Sequence, residues 1–132
     1  MYDLRYRVLR QAWNQARGSE IADDDKDALH AIVYTNQNKV IACCRAHLVA
    51  QEQVQLRFMA VDPDYQGIGL GKAILLYIEK KATEKFKPVK QIVLHARENA
   101  VKFYKSNGYE LVSESYILFN SIQHYLMIKN LN

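Results

Sequence analysis

An apolar run from Val54 to Val61 stops at Asp62-Pro63-Asp64-Tyr65, and three of the chain's five glycines then follow in Gln66-Gly67-Ile68-Gly69-Leu70-Gly71. From about Lys72 to Phe86, Ile74, Leu75, Ile78 and Ala82 recur at helical spacing. This passage restricts the fold more than any other in the chain. A strand that turns through glycines into a helix leaves the first N–H groups of that helix unpaired, at its positive end. Without Cβ atoms, the loop lets a phosphate oxygen come close to the backbone. The unit is therefore strand, glycine loop, helix, with a capacity for phosphate.

The flanking residues build a sheet around it. Leu4, Val8, Leu9, Ala12, Trp13 and Ala16 predict an amphipathic opening helix that Gly18 ends. After an acidic connection over 19–28, strands are expected near His30–Tyr34 and Val40–Val49, forming an antiparallel meander with Val54–Val61. Beyond the long helix come Pro88, a strand over Lys90–Ala96, and a short helix over Asn99–Ser106 that Asn107-Gly108 stops. Strands near Tyr109–Tyr116 and Gln123–Lys129 meet across Phe119–Ile122. The order α-β-β-β-α-β-α-β-β indicates an α/β or α+β sheet with helices packed on it.

No linker or repeat divides the 132 residues, so one domain over 1–132 is expected. With 49% hydrophobic residues the chain is too apolar for disorder, yet no run approaches the ~20 residues of a membrane helix. Met1–Arg7 is charged and lacks a signal-peptide core, which points to the cytoplasm. The net charge of +4 is modest, and its lysines cluster on one helix and its exit loop, so no nucleic-acid role is expected. Cys43 and Cys44 are adjacent in a strand, point to opposite faces and read as small hydrophobes. Neither they nor Asp23–Asp27 make a metal site. An EF-hand starting at Asp23 would put Ala28 at the required glycine and Tyr34 at the bidentate glutamate.

Two phosphate loops fail on spacing. Gly71-Lys72 has Gln66 five residues before it and Ala73 after it, which excludes a Walker loop. The glycines run G-x-G-x-G rather than G-x-G-x-x-G, three strands precede them, and the strand after the helix contains no acid before Glu98, which excludes a Rossmann loop. By contrast, Gln66-x-x-Gly69-x-Gly71 after a strand ending Met59-Ala60-Val61-Asp62-Pro63 resembles the acetyl-CoA loop of the GNAT N-acyltransferase superfamily. Its second segment, A-x-x-F/L-Y-x-x-x-G-F/Y, is matched by Ala100-x-x-Phe103-Tyr104-x-x-x-Gly108-Tyr109. Leu4–Arg10, Leu94-His95-Ala96-Arg97 and Ile122-Gln123-His124-x-x-Met127-x-Lys129 are similar to the ElaA-like branch.

The resemblance implies a mixed, mostly antiparallel sheet flanked by helices, with the usual first strand missing and a sheet edge exposed. It also implies acetyl transfer from acetyl-CoA, without a metal, to a primary amine on a small molecule or peptide, and leaves a homodimer open. Gln66, Gly67, Ile68, Gly69, Leu70, Gly71 and Lys72 would then hold the pyrophosphate. Met59, Ala60 and Val61 would pair with the pantetheine arm, and Tyr104 would bind the cofactor and protonate the leaving thiolate. The chain departs from the superfamily at two positions. Gln55 stands where some members carry a glutamate base, and Arg97 stands where an asparagine is common. His30, His95 and His124 are the remaining base candidates, because histidine titrates near neutral pH. Arg45 and Arg57 could meet a carboxylate-bearing acceptor, although exposed strand arginines are the plainer expectation. A CoA-binding regulatory or interaction module without efficient chemistry is the alternative.

Overall fold

Six strands form in the computed structural model, which describes residues 1–131. They are β1 (Leu29–Tyr34), β2 (Val40–Ala50), β3 (Gln53–Val61), β4 (Gln91–Arg97), β5 (Glu110–Leu118) and β6 (Ile122–Asn130). They pair as one sheet in the order β1-β2-β3-β4-β6-β5, in which only β3 and β4 run parallel. The connection from β3 to β4 is α2 (Leu70–Lys85), a crossover of the kind that parallel neighbours require. The other helices are α1 (Tyr2–Leu9) and α3 (Val101–Ser106), and no strand precedes α1 among the described residues. No helix among them is long and apolar enough to cross a membrane.

Strand alternation divides the buried residues between the two faces of the sheet. Ile74, Leu75, Ile78 and Ala82 of α2 pack on Cys44, Leu56, Ile92 and Leu94. Leu4 and Leu9 of α1 pack on Cys43 and Ala60 across the other face. The adjacent cysteines therefore serve different cores, and both are free thiols. On the α2 face, Glu79 accepts a hydrogen bond from the Tyr109 hydroxyl at 2.6 Å and pairs with Lys129 at 3.1 Å, joining helix to strand.

Two expectations need correction. The opening helix stops at Leu9, not at Gly18; a 3-10 turn over Gln11–Trp13 follows, and Asn14 takes a left-handed conformation at φ 57°. Its apolar stripe ends there because Ala12 and Trp13 turn toward a cleft instead of the core. Arg45 is not an exposed strand arginine but fully buried, with side-chain exposure of 0%. It lies 2.8 Å from Asp25 and 2.6 Å from Asp24, while Arg5 reaches Asp25 from α1 at 2.9 Å. Two buried guanidiniums need carboxylates, and the acidic connection supplies them. Burial pushes the Asp25 carboxyl up, but the Ala22 N–H, Arg45 and Arg5 outweigh it and hold it well below the usual carboxylate range.

Candidate active site

The glycine loop is positioned from both ends. At its entry, buried Asp62 accepts from the Asp64 N–H at 3.0 Å, and the Gln66 side chain donates to the Val61 carbonyl at 3.1 Å. At its exit, Gly69 caps α2 at φ 87°, and Gly67 lies at φ 81°, a region that disfavours side chains. A Cβ on either glycine would meet no atom within 4 Å, so both face open space before the helix N-terminus. Gly71 differs: a Cβ there would lie 3.3 Å from the Phe103 ring, so this glycine lets α2 pack against α3. Ile68 is 67% exposed and lies outside the cleft lining, whereas Leu70 and Lys72 are part of it.

Beside the loop the sheet splits. Parallel pairing of β3 with β4 covers only Gln53–Gln55 against Gln91–Val93. From Leu56 to Val61 the β4-facing edge of β3 has no strand partner among the described residues. On its other edge, β3 fits two residues, Phe58 and Met59, between Arg57 and Ala60 against one, Cys44, on β2, and Phe58 sits in the bulge at φ 56°. The resulting cleft, about 870 Å³, runs from Gly67 and Lys72 past Met59, Ala60 and Val61 to the α1 face. An unpaired strand edge offers alternating N–H and C=O groups to a ligand with amides of its own.

Tyr104 borders this cleft from α3, packed edge-on against Phe103 and Tyr109 with ring centroids 5.1 Å and 5.6 Å apart. Its hydroxyl makes no hydrogen bond among the described residues. Burial raises its pKa, so it keeps its proton at neutral pH.

Toward the α1 face, His95 and His124 line the cleft with Tyr116 between them. Tyr116 stacks on His124 at 4.5 Å and tilts against His95 at 5.3 Å. A register irregularity between Glu114 and Ile117 carries this tyrosine there. The His124 Nδ1 lies 3.0 Å from the Ile122 carbonyl, which only accepts; Nδ1 therefore holds the proton and Nε2 the free lone pair. Burial, then the charge of Arg97, lowers the His124 pKa; burial and Arg57 lower that of His95, whose buried Nδ1 has no partner. Both rings are neutral at pH 7.

His30 is not part of this group. Its Nε2 lies 2.7 Å from the Asp25 carbonyl and its Nδ1 3.3 Å from Arg5, within the buried charge network on the α1 face. Arg57 is an exposed strand arginine, as expected, and lines the cleft; Arg10, Trp13 and Tyr116 also line it, and no site signal marks them in the sequence. Arg97 lines it too, and it alone carried a signal, as the residue in place of an expected asparagine. Among the described residues no group of three or more His, Cys, Asp or Glu side chains is arranged to hold a metal ion.

The family described as Acetyltransferase (GNAT) domain matches residues 27–111. Over 127 residues the chain is 27% identical to an uncharacterized N-acetyltransferase, YjcF of Bacillus subtilis, covering 96% of this chain and 88% of YjcF. A UPF0039 protein of Schizosaccharomyces pombe is 26% identical over 98 residues, 74% of this chain; the match spans 65% of that relative's length. Escherichia coli ElaA superposes with a TM-score of 0.83 at 23% identity, covering 97% of this chain and 86% of ElaA. A GNAT family acetyltransferase from Elizabethkingia anophelis, solved with acetyl-CoA bound, gives 0.74 at 18% identity, covering 98% and 90%. These two likenesses are of fold, and the fold is the one the split sheet and glycine loop describe. With the family matched over more than half its length, this chain belongs to the GNAT acetyltransferases.

Proposed function

We propose that the protein transfers an acetyl group from acetyl-CoA to a primary amine. The observation that carries this reading is the continuity of one cleft from the α2 N-terminus, through the gap between β3 and β4, to two neutral histidines. The residues present fit the coenzyme: Gly67 and Gly69 leave room for a pyrophosphate where N–H groups converge, and the free β3 edge suits the pantetheine amides. Acetyl-CoA bound to the Elizabethkingia protein supports the same assignment.

The groups of the chain divide the proton work. The amine nitrogen bonds to the thioester carbon, the C–S bond breaks, and the products are an N-acetyl amine and CoA. Nε2 of His124 takes the proton that the attacking nitrogen loses. Tyr104 donates its proton to the departing sulfur, and solvent restores both residues. No carboxylate base is needed, which agrees with Gln55 in the cleft wall.

Calorimetry and thermal shift with acetyl-CoA test the binding half. Acetyl-CoA should bind and raise the Tm by mass action, whereas ATP and NAD should do little. Gly69→Asp, which places a carboxylate in the open space before α2, should abolish that shift while the mutant stays folded. Absence of binding at millimolar acetyl-CoA overturns the proposal. Binding without thiol release, across a broad panel of amines, would favour a CoA-binding module instead.

A further inference from the structure

The arginines of this chain fall into two groups. Arg5, Arg7, Arg17 and Arg45 each lie within 4.0 Å of a carboxylate. Arg10, Arg57 and Arg97 do not, among the described residues, and these are the arginines that line the cleft. Arg10 donates to the Ser19 and Leu9 carbonyls and Arg97 to Leu9, while the Arg57 side chain makes no hydrogen bond among the described residues. Each guanidinium has five donors, so most remain free.

Nearby carboxylates are already engaged. Asp24 and Asp25 are held by Arg45 and Arg5, and Glu20 accepts from the Gly18 N–H at 2.7 Å. His95 and His124 offer the three arginines no counter-charge, because an imidazole is neutral or cationic and never anionic near neutral pH. Burial lowers the pKa of all three guanidiniums, and a neighbouring like charge adds to it in each case: Arg57 acts on Arg10, Arg45 on Arg57 and Arg10 on Arg97. Such a cluster repels an acceptor that brings only an ammonium. An acceptor that also brings an anion enters with little net charge, and leaves its amine in a field that favours the neutral, nucleophilic form.

We propose that the acceptor amine carries an anionic oxygen group, carboxylate or phosphate, which docks on Arg57 together with Arg10 and Arg97 while the amine faces His124. This rests on the acetyl-transfer reading. Planar guanidiniums suit both anions, since each presents two oxygens to a donor fork.

Matched amine pairs test it: tyrosine against tyramine for the carboxylate, phosphoethanolamine against ethanolamine for the phosphate. At saturating acetyl-CoA, one anionic member should exceed its partner in kcat/KM by about 10–100-fold, mostly through KM, the worth of one or two charge-assisted hydrogen bonds. Which pair responds identifies the anion. Arg57→Gln, at unchanged Tm, should collapse that ratio by about tenfold or more. Equal kcat/KM within both pairs, or a ratio untouched in Arg57→Gln, overturns the proposal. A second arm needs no turnover: N-acetyltyrosine, N-acetyltyramine and inorganic phosphate are titrated by calorimetry into free and CoA-loaded protein. Preference for the anions that Arg57→Gln removes supports the proposal; no preference overturns it. A failure of CoA itself to bind overturns only the acetyl-transfer reading.

Discussion

Arg10 and Arg97 share one hydrogen-bond acceptor: Nη1 of Arg10 and Nη2 of Arg97 each donate to the Leu9 carbonyl at 3.1 Å. That oxygen ends α1, so the pair ties the helix to β4 across 88 residues of sequence. It also brings two like charges together in the cleft wall without a carboxylate between them. Helix termination and the electrostatics of the site thus depend on the same atoms.

Loosening that tie should be visible through Trp13, the chain's one tryptophan, whose ring lies 5.9 Å from the Arg97 guanidinium. Arg97→Ala removes the covering cation and frees the turn over Gln11–Trp13. Its emission should shift to the red and become more open to iodide quenching. An unchanged spectrum would show that Arg97 does not hold this wall of the cleft.

Tyr104→Phe separates packing from chemistry. The ring contacts with Phe103 and Tyr109 survive, and the lost hydroxyl bonds to nothing among the described residues, so the Tm should hardly move. Acetyl-CoA affinity should also persist, because the proton matters only as charge builds on sulfur. Turnover should fall by about 10²–10⁴-fold. Thiol release that stays within about threefold of wild type would remove Tyr104 from the acid role.

The pH profile follows from the depressed histidines. A base must be neutral to work, and burial with the charge of Arg97 holds the His124 pKa below its ordinary ~6.5. The acid limb of kcat/KM should therefore fall below ~6.5, and His124→Gln should lower the rate and erase the limb. In Arg97→Gln, where one repelling charge is gone, the limb should move upward. A limb at the same pH in wild type and His124→Gln would assign it elsewhere, with His95 the next group to test.

Asp25→Ala leaves Arg5 and Arg45 buried without their shared carboxylate. Breaking a buried pair from one side costs about 3–5 kcal/mol, a large part of a domain's stability. Because the folded Asp25 pKa is depressed, its contribution is present above ~3.9 and is lost as pH falls below that value. Denaturant melts should show this acid loss in wild type and a flatter dependence in Asp25→Ala. Equal stability of the two proteins at pH 7 would contradict the role given to the network.

Much of the fold is legible in the order of the residues. Helical spacing in Ile74, Leu75, Ile78 and Ala82, and the apolar runs on either side, mark α2 and its neighbouring strands, because periodicity is set by backbone geometry and read locally. The loop from Gln66 to Gly71 is legible for the same reason: left-handed Gly67 and Gly69 are demands of a few adjacent residues. Nothing local announces the rest. Phe58 carries no glycine-like signal at its positive φ, and the split between β3 and β4 depends on how far two strands 38 residues apart stay in register.

The histidines divide in the same way. His30, His95 and His124 look alike in sequence, but Arg5 and Asp25 claim the first, while the alternation of β4 and β6 turns the other two into the cleft. Arg45 and Arg57 lie opposite each other on paired strands, yet one meets Asp24 and Asp25 and the other meets none. The elements, the glycine loop and the coenzyme they suit follow from sequence, since each is written within a dozen residues. Which charges are neutralised and which face the cleft was decided by folding, because a charge is satisfied only by partners brought from distant parts of the chain.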